Sequence, residues 1–574
     1  FLDKMPKVFD PFAGGGAIPL EAARLGCRSF GNDINPVAHI VQKGSLEFPQ
    51  KYGKPITYSK SEFLRIYGQE EWNKNSNENF VFQNGEAIGV NIANRLSFDI
   101  EFYSKKLLAL SKKEIGHLYP DDQNGNKPIA YFWARVGICS NPSCKAEVPL
   151  LRQFYLVNKS GKQVFLNPII SGNKIDFEIK NGTPEIEGWI SRGNLVCPCC
   201  GNTTENSLLK KQFIDKRIKD RIIAVIEDGK NSKVYRLPYS EEVEVINLVK
   251  GNIEKPNEVL PVDYTKAMAF CLWGFDKWGD IFSDRQITAM YSLVKSLNSI
   301  KLDFKDEDLE YRKAVVSYLA ILIDRVATRQ ISLSFWDITR ETATNPFGKQ
   351  AIQMVFDYIE VNPFCESSGS ALNQLDWITR YIESECNSPF LTILKNASSG
   401  EKEQFPEKYL TAVITDPPYY DAIAYADLSD FFYLWLKRTL ADLYPLNFAT
   451  PQTPKTEECT ALKHHHNGKQ ATAKIHFENK LLQIFDAIEH QTSDLVSIMF
   501  AHQSTEAWST LCDSILGAKM NITGSWALDS EYTNTGLKSG KAFLSSSVTV
   551  CAKPIQSHGT GDYKMVRKAI EKTV

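Results

Sequence analysis

Ala412-Val413-Ile414-Thr415-Asp416-Pro417-Pro418-Tyr419-Tyr420-Asp421 decides how this chain is read. A β-branched apolar run that stops at two prolines reads as a buried parallel strand ended at its carboxyl end, because proline cannot extend a hydrogen-bonded ladder. In open α/β sheets that end holds ligands. Pro417 and Pro418 fix the backbone, so the Asp416 carboxylate and the Pro417 carbonyl can converge on one small planar target while the Tyr419 ring stacks on it. An exocyclic base amine fits that description. Its lone pair is delocalised into the ring, and two acceptors gripping its two hydrogens localise the pair toward an incoming methyl group. The loop therefore predicts an amino-methyltransferase with Asp416, Pro417, Pro418 and Tyr419 as catalytic residues. A rigid turn after a strand is the plain alternative, and context decides between them.

The context lies at the other end of the chain. Lys7 to Gly26 reads strand, glycine loop, helix, with Gly26 as the helix stop. Gly14, Gly15 and Gly16 remove every Cβ from the loop, so a ligand can lie on its backbone above the helix N-terminus. A second strand, Cys27 to Asp33, ends in an acid placed for the ribose hydroxyls of a nucleoside cofactor. A dinucleotide fingerprint would carry a later glycine that this loop lacks. Phe-Ala-Gly-Gly-Gly and Asp-Pro-Pro-Tyr together resemble the S-adenosylmethionine-dependent amino-methyltransferases of nucleic acids.

The chain has 574 residues, 23% of them charged, and a formal net charge of −2. That length predicts about three or four units. The near-neutral balance assigns nucleic-acid contact to local basic patches rather than to a global field. No long apolar run and no signal-like start are present, so a cytoplasmic protein without a membrane partner is expected.

Asp33 and Asp416 are far apart, which requires a large insertion within the core. Inside it, Cys139-Ser-Asn-Pro-Ser-Cys144 and Cys197-Pro-Cys-Cys200-Gly201 form two knuckles. Four thiolates at such spacing suit a structural tetrahedral zinc held by Cys139, Cys144, Cys197 and Cys200, with Cys199 as a spare that could shift the register. Lys210 to Arg221 is the densest basic run and reads equally as a phosphate track or a solvated face. Ser283 is an N-cap candidate, and 311–332 reads as a long amphipathic helix. Asn345-Pro-Phe347 and Asn362-Pro-Phe364 lack the second proline, follow no apolar strand, and read as turns.

An aromatic-rich helix follows the catalytic loop, where Tyr425 and Asp427 are candidate contacts to base or cofactor. His464-His465-His466 reads as a solvated loop, since three consecutive side chains converge poorly on one ion. The core then resumes with a buried strand over 495–502, a helix over 507–516, and an edge-type strand over 545–553 that pairs with 521–528 as a closing hairpin.

The expected fold is therefore α/β, a Rossmann-like S-adenosylmethionine-dependent methyltransferase core split by a large insertion carrying a zinc ribbon and a helical region. Its parts are the first core segment at 1–50, an insertion at 51–265 with the ribbon at about 131–205, a helical insertion at 266–385, the second core segment at 386–555, and the start of a C-terminal extension at 556–574.

The chain also resembles a specific family, the bacterial and archaeal adenine-specific DNA methylases that contain a zinc ribbon. The matching stretches are Asp10-Pro-Phe-Ala-Gly-Gly-Gly16, Asn32-Asp33-Ile-Asn35-Pro36, Cys139 to Leu151, Phe282-Ser-Asp-Arg-Gln286, Glu360-Val-Asn-Pro-Phe364, Thr415 to Asp421 and Phe500-Ala-His502. The resemblance implies N6-methylation of adenine in duplex DNA, with the base flipped out, in a restriction or phage-defence setting alongside other defence proteins. It implies S-adenosylmethionine held by Asp10, Phe12, Ala13, Gly14, Gly15, Gly16 and Asp33. It also implies a preceding segment and a C-terminal continuation, so the chain is expected to be a fragment. The rival readings are an RNA base amino-methyltransferase and a zinc-ribbon nucleic-acid-binding component with a vestigial core.

Overall fold

The computed structural model describes residues 4–75, 78–122, 124–229, 232–249, 251, 253–261, 267–304, 307–367, 369–502, 504–528 and 547–555, with 562, 564, 565, 567 and 568. The chain is mixed α/β and divides into two compact units. The first comprises Phe1–Ile34, Ser388–Ile423 and Thr456–Val574, and the second comprises Asn35–Asn387 and Ala424–Lys455. No helix among the described residues is long and apolar enough to cross a membrane.

The first unit is built on one seven-stranded sheet. Its strands are β1 (Lys7–Asp10), β2 (Arg28–Asn32), β3 (Ile393–Lys395), β4 (Leu410–Thr415), β5 (Thr492–Phe500), β6 (Met520–Leu528) and β7 (Ser547–Pro554), in the spatial order β3-β2-β1-β4-β5-β7-β6. The first five in that order run parallel, and the register sets Phe9 beside Val413 and Thr415 beside Ile498. Strands buried on both faces read as continuous apolar runs, which is why Val413, Val496 and Ile498 sit in the core. Each such side chain contributes roughly 1.5–3 kcal/mol through burial. Helices α1 (Ala17–Arg24), α2 (Gln470–Gln491) and α3 (Thr505–Gly517) belong to this unit, and Phe477, Leu481, Phe485 and Leu511 from α2 and α3 join the same core.

Strand β7 departs from the expectation of an edge strand. It lies inside the sheet, antiparallel to β5 on one side and to β6 on the other, and β6 forms the edge. Its polar alternation reads as exposure in sequence, but a strand's place in a sheet is set by backbone pairing, which side-chain pattern does not encode. Ser545 and Ser546 lie outside the described residues, as does 569–574 at the end of the expected extension.

The second unit centres on a strand, Pro128–Ile138, buried along nearly its whole length. Lys219–Asp228 and Asp357–Val361 flank it antiparallel, Lys233–Arg236 extends the sheet, and Glu147–Pro149 pairs with its end. The helix Asp284–Ile300 begins with a reciprocal cap between Ser283 and Gln286, as the sequence predicted. Leu309–Ala327 is the long helix expected over 311–332, shorter by one turn at its end.

Two stretches quoted for the resemblance meet inside this unit. Arg285 Nε donates to Glu360 Oε1 at 2.7 Å, its Nη1 donates to the Leu118 carbonyl, and its guanidinium lies 4.0 Å from the Tyr131 ring centre. Both ionic side chains are fully buried. Asn362 makes the turn expected of it, accepting from the Phe364 N–H and donating to the Pro128 carbonyl. It does follow an apolar strand, Asp357–Val361, contrary to the sequence reading, because Tyr358, Ile359 and Val361 are buried although acids interrupt the run.

Candidate functional site

The carboxyl ends of β1, β2 and β4 bring the glycine loop, Asp33 and the Asp-Pro-Pro-Tyr loop to one end of the first unit's sheet. Gly14 adopts φ +51° and Gly16 φ +91°, both in the left-handed region where a side chain is strained. A Cβ on Gly14 would meet nothing within 4 Å, so the loop backbone faces open space there. The Gly14 N–H donates to Asp33 Oδ2 at 2.9 Å. One oxygen of Asp33 therefore holds the loop.

Asp10 lies behind the loop, 2% exposed. Its Oδ1 accepts from the Phe12 N–H at 3.0 Å and from the Thr415 hydroxyl at 2.7 Å. Burial pushes its carboxyl up to about 7; the two hydrogen bonds oppose that rise, and the charges of Asp33 and Asp416 add to it. Asp10 thus shapes the loop from beneath. Phe12, half-buried, packs against the core, and Ala13 is buried with its N–H donating to the Asn32 carbonyl.

Asp416 is half-buried at the end of β4, and its Oδ1 is buried without a hydrogen-bond partner among the described residues. Burial raises its carboxyl above the usual range, while a hydrogen bond from Tyr419 lowers it. A buried carboxylate oxygen without a donor is costly, and it marks where a donor from a bound molecule would be stabilised. Tyr419 packs edge-on against Phe500 from β5 at 5.8 Å. Tyr420 takes φ +52°, which turns the chain sharply after the prolines; its ring packs on Phe477 and His502, and its carbonyl accepts from the Ala461 N–H at 2.9 Å.

His502 closes the far side of the loop. Its Nδ1 accepts from the Ser504 N–H at 3.0 Å, which leaves Nε2 as the protonated nitrogen of the neutral ring, 3.7 Å from Asp421 Oδ1.

Sequence reasoning missed a third loop, that following β3. Asn396 donates to the Asp33 carbonyl at 2.6 Å, Ser399 donates to the Pro11 carbonyl at 2.6 Å, and Asn32 donates to both the Ala397 carbonyl and Ser399 Oγ at 3.0 Å. This polar strap fixes both the glycine loop and the segment carrying Asp33. Three residues of strand preceding it gave no apolar run long enough to read.

No protein-family model matches the chain, and no curated protein matches it in sequence.

In the second unit, the Sγ atoms of Cys139, Cys144, Cys197 and Cys200 all lie within 4.8 Å of one another and could hold a metal ion such as zinc. Cys139 and Cys200 are 3.7 Å apart and Cys144 and Cys197 3.8 Å apart. Each knuckle turns on a left-handed residue just after its second cysteine, Lys145 at φ +49° and Gly201 at φ +74°. The Asn202 N–H lowers the Cys200 thiol to about 7, which favours the thiolate a metal needs. Cys199 stands outside the group.

The basic run is largely paired. Arg217 meets Asp215, Lys219 meets Glu147 at 2.7 Å, Arg221 meets Asp176 at 2.9 Å, and Lys216 donates to the Gly274 carbonyl. Most of it is a solvated, neutralised face. Tyr425 and Asp427 fall in the helix Tyr425–Leu440 of the second unit, where Asp427 is fully buried. His464 to His466 form a half-buried 3-10 turn, not a solvated loop, and the His466 ring packs 4.6 Å from that of His476.

Proposed function

We propose that the first unit transfers a methyl group from S-adenosylmethionine to the exocyclic amine of a nucleobase, and that the base is adenine in DNA. One observation carries the reading: the unpartnered Asp416 oxygen stands at the end of β4, beside the strand whose glycine loop opens over Gly14. The strand order and the antiparallel closing pair β7 and β6 also agree with the methyltransferase core that the sequence resemblance implies. The DNA and N6-adenine assignments rest on that resemblance.

The residues present fit the cofactor. The glycine backbone, free of Cβ atoms, suits a ligand's close approach, and Asp33 follows β2 where ribose hydroxyls are held in such sheets. Bound there, S-adenosylmethionine supplies an electrophilic methyl on a sulfonium. Asp416 Oδ1 and the Pro417 carbonyl accept the two amine hydrogens of an extruded base and hold its lone pair out of the ring plane. Tyr419, steadied by Phe500, offers a face for the base. Pro418 and the left-handed Tyr420 keep the loop rigid, so positioning carries much of the rate.

Zinc is the ion we assign to the four cysteines. Tetrahedral zinc with Zn–S bonds of about 2.3 Å sets its sulfurs about 3.8 Å apart. The two shortest pairs have that separation. Four protein ligands leave no open position, which makes the site structural.

The test is transfer from labelled S-adenosylmethionine to unmodified duplex DNA and, in parallel, to RNA, with the modified nucleoside identified by mass spectrometry. N6-methyladenine in DNA is expected, and its loss in Asp416→Ala with cofactor binding retained. A methylated RNA base would move the substrate, and equal transfer by the variant would overturn the site.

A further inference from the structure

The second unit holds a cavity of about 550 Å³ that the reading above leaves unused. Ligand pockets for drug-sized molecules span about 300–1,000 Å³. Its buried lining comes from the central strands: Trp133 and Tyr358, on paired strands, lie parallel within 4° with ring centres 6.0 Å apart, and Arg285 stands beside them. Trp273 adds another aromatic wall, and the exposed side chains Lys216 and Lys219 lie at the solvent end.

Three buried polar atoms of this lining have no hydrogen-bond partner among the described residues: Trp133 Nε1, Tyr358 Oη and Arg285 Nη2. Their side chains are 5%, 1% and 1% exposed. Buried donors are almost always paired, so three of them around one cavity call for acceptors that the chain itself does not supply. Hydrocarbon or phenyl rings would fill the aromatic slot and leave the donors unmet. A flat ring bearing carbonyl or ring-nitrogen acceptors satisfies both, and lysines at the mouth suit a phosphate on the same molecule.

We infer that this cavity binds a nucleotide, with the base against Trp133 and Tyr358 and the phosphate toward Lys216 and Lys219. The site is separate from the loops of the first unit and requires no methyl transfer. Its ligand is either a free mononucleotide or a nucleotide unstacked from a strand, since both present the same base and phosphate.

The test uses the full chain and two variants, Tyr358→Phe and Lys216→Ala, with AMP, GMP, CMP, UMP, the four nucleosides and a ten-nucleotide single-stranded DNA as probes. Calorimetric titration gives affinity, and thermal unfolding without a probe gives stability. Because the Tyr358 hydroxyl has no partner in the free protein, Tyr358→Phe is expected to unfold at the same temperature as the wild type or higher. Its affinity for at least one nucleotide should fall about fivefold, the worth of one hydrogen bond. Lys216→Ala should weaken nucleotides and leave nucleosides unchanged. Tighter binding of the oligonucleotide than of its mononucleotides assigns a strand as the source, and the reverse assigns a free nucleotide. Absence of binding by every probe at millimolar concentration overturns the proposal. So does unchanged affinity in Tyr358→Phe, or a marked loss of stability in that variant without a probe.

Discussion

The Thr415 hydroxyl donates to Asp10 Oδ1 at 2.7 Å across a separation of 405 residues. This one bond ties the strand that leads into the glycine loop to the strand that leads into Asp-Pro-Pro-Tyr. Thr415→Val keeps the shape and removes the donor, leaving a buried carboxyl oxygen with the Phe12 N–H alone. A loss of about 1–3 kcal/mol is expected in denaturant unfolding, with Thr415→Ser recovering most of it. A Val variant as stable as the wild type would show the bond to be idle.

Asp10 should also make stability depend on pH. Its carboxyl is raised from 3.8 to about 7 in the folded chain, so the folded state holds the proton longer than the unfolded state does. Below 3.8 both states are protonated and its contribution is fully present. Between there and about 7 the unfolded chain ionises first, and stability falls as pH rises. Asp10→Asn keeps a neutral acceptor and should remove that slope, matching the wild type in acid and exceeding it by a few kcal/mol above neutrality. Parallel pH–stability curves for the two proteins would contradict the assignment.

Gly14→Ala separates the loop's conformation from its role as a ligand cradle. The added methyl meets no protein atom but sits on a backbone at φ +51°. Strain alone predicts a stability loss of about 1–2 kcal/mol. If the cofactor lies on this loop, its affinity should fall by about tenfold or more as the methyl enters its space. Unfolding and equilibrium dialysis of labelled S-adenosylmethionine read the two effects apart.

The cysteine cluster predicts one bound zinc per chain by elemental analysis. Cys197→Ser should lose the metal and a large part of the second unit's stability, since a structural zinc contributes to folding directly. Cys199→Ser should keep both. Metal loss in Cys199→Ser and retention in Cys197→Ser would exchange their roles.

Arg285 and Glu360 form a pair with no access to water. Arg285→Met strands the Glu360 carboxylate and should cost about 3–5 kcal/mol, whereas Arg285→Met with Glu360→Leu should recover most of the loss. A double variant no more stable than the single one would place the damage in packing on Tyr131 and not in the unpaired charge.

Local chemistry made several of these features legible in the sequence. Val413 and Ile414 before two prolines marked a strand end, Gly14 to Gly16 marked a backbone cradle, Ser283 and Gln286 marked a helix start, and the knuckles at Cys139 and Cys197 marked a metal-sized cluster. Each depends on neighbours in the chain, where propensity, turn geometry and ligand spacing act over a few residues.

Tertiary structure alone decided the rest, because it depends on pairing between distant segments. The sequence could not show that β7 is interior and β6 the edge, since backbone ladders carry no side-chain signature. Nor could it show that Asp10 is spent on Thr415, or that Asn396 and Ser399 strap the glycine loop, because those hydrogen bonds join residues that only the fold makes neighbours. The Arg285–Glu360 bond and the unmet donors of Trp133 and Tyr358 belong to the same class. Burial, which gives each of them its energetic weight, is a property of the packed chain.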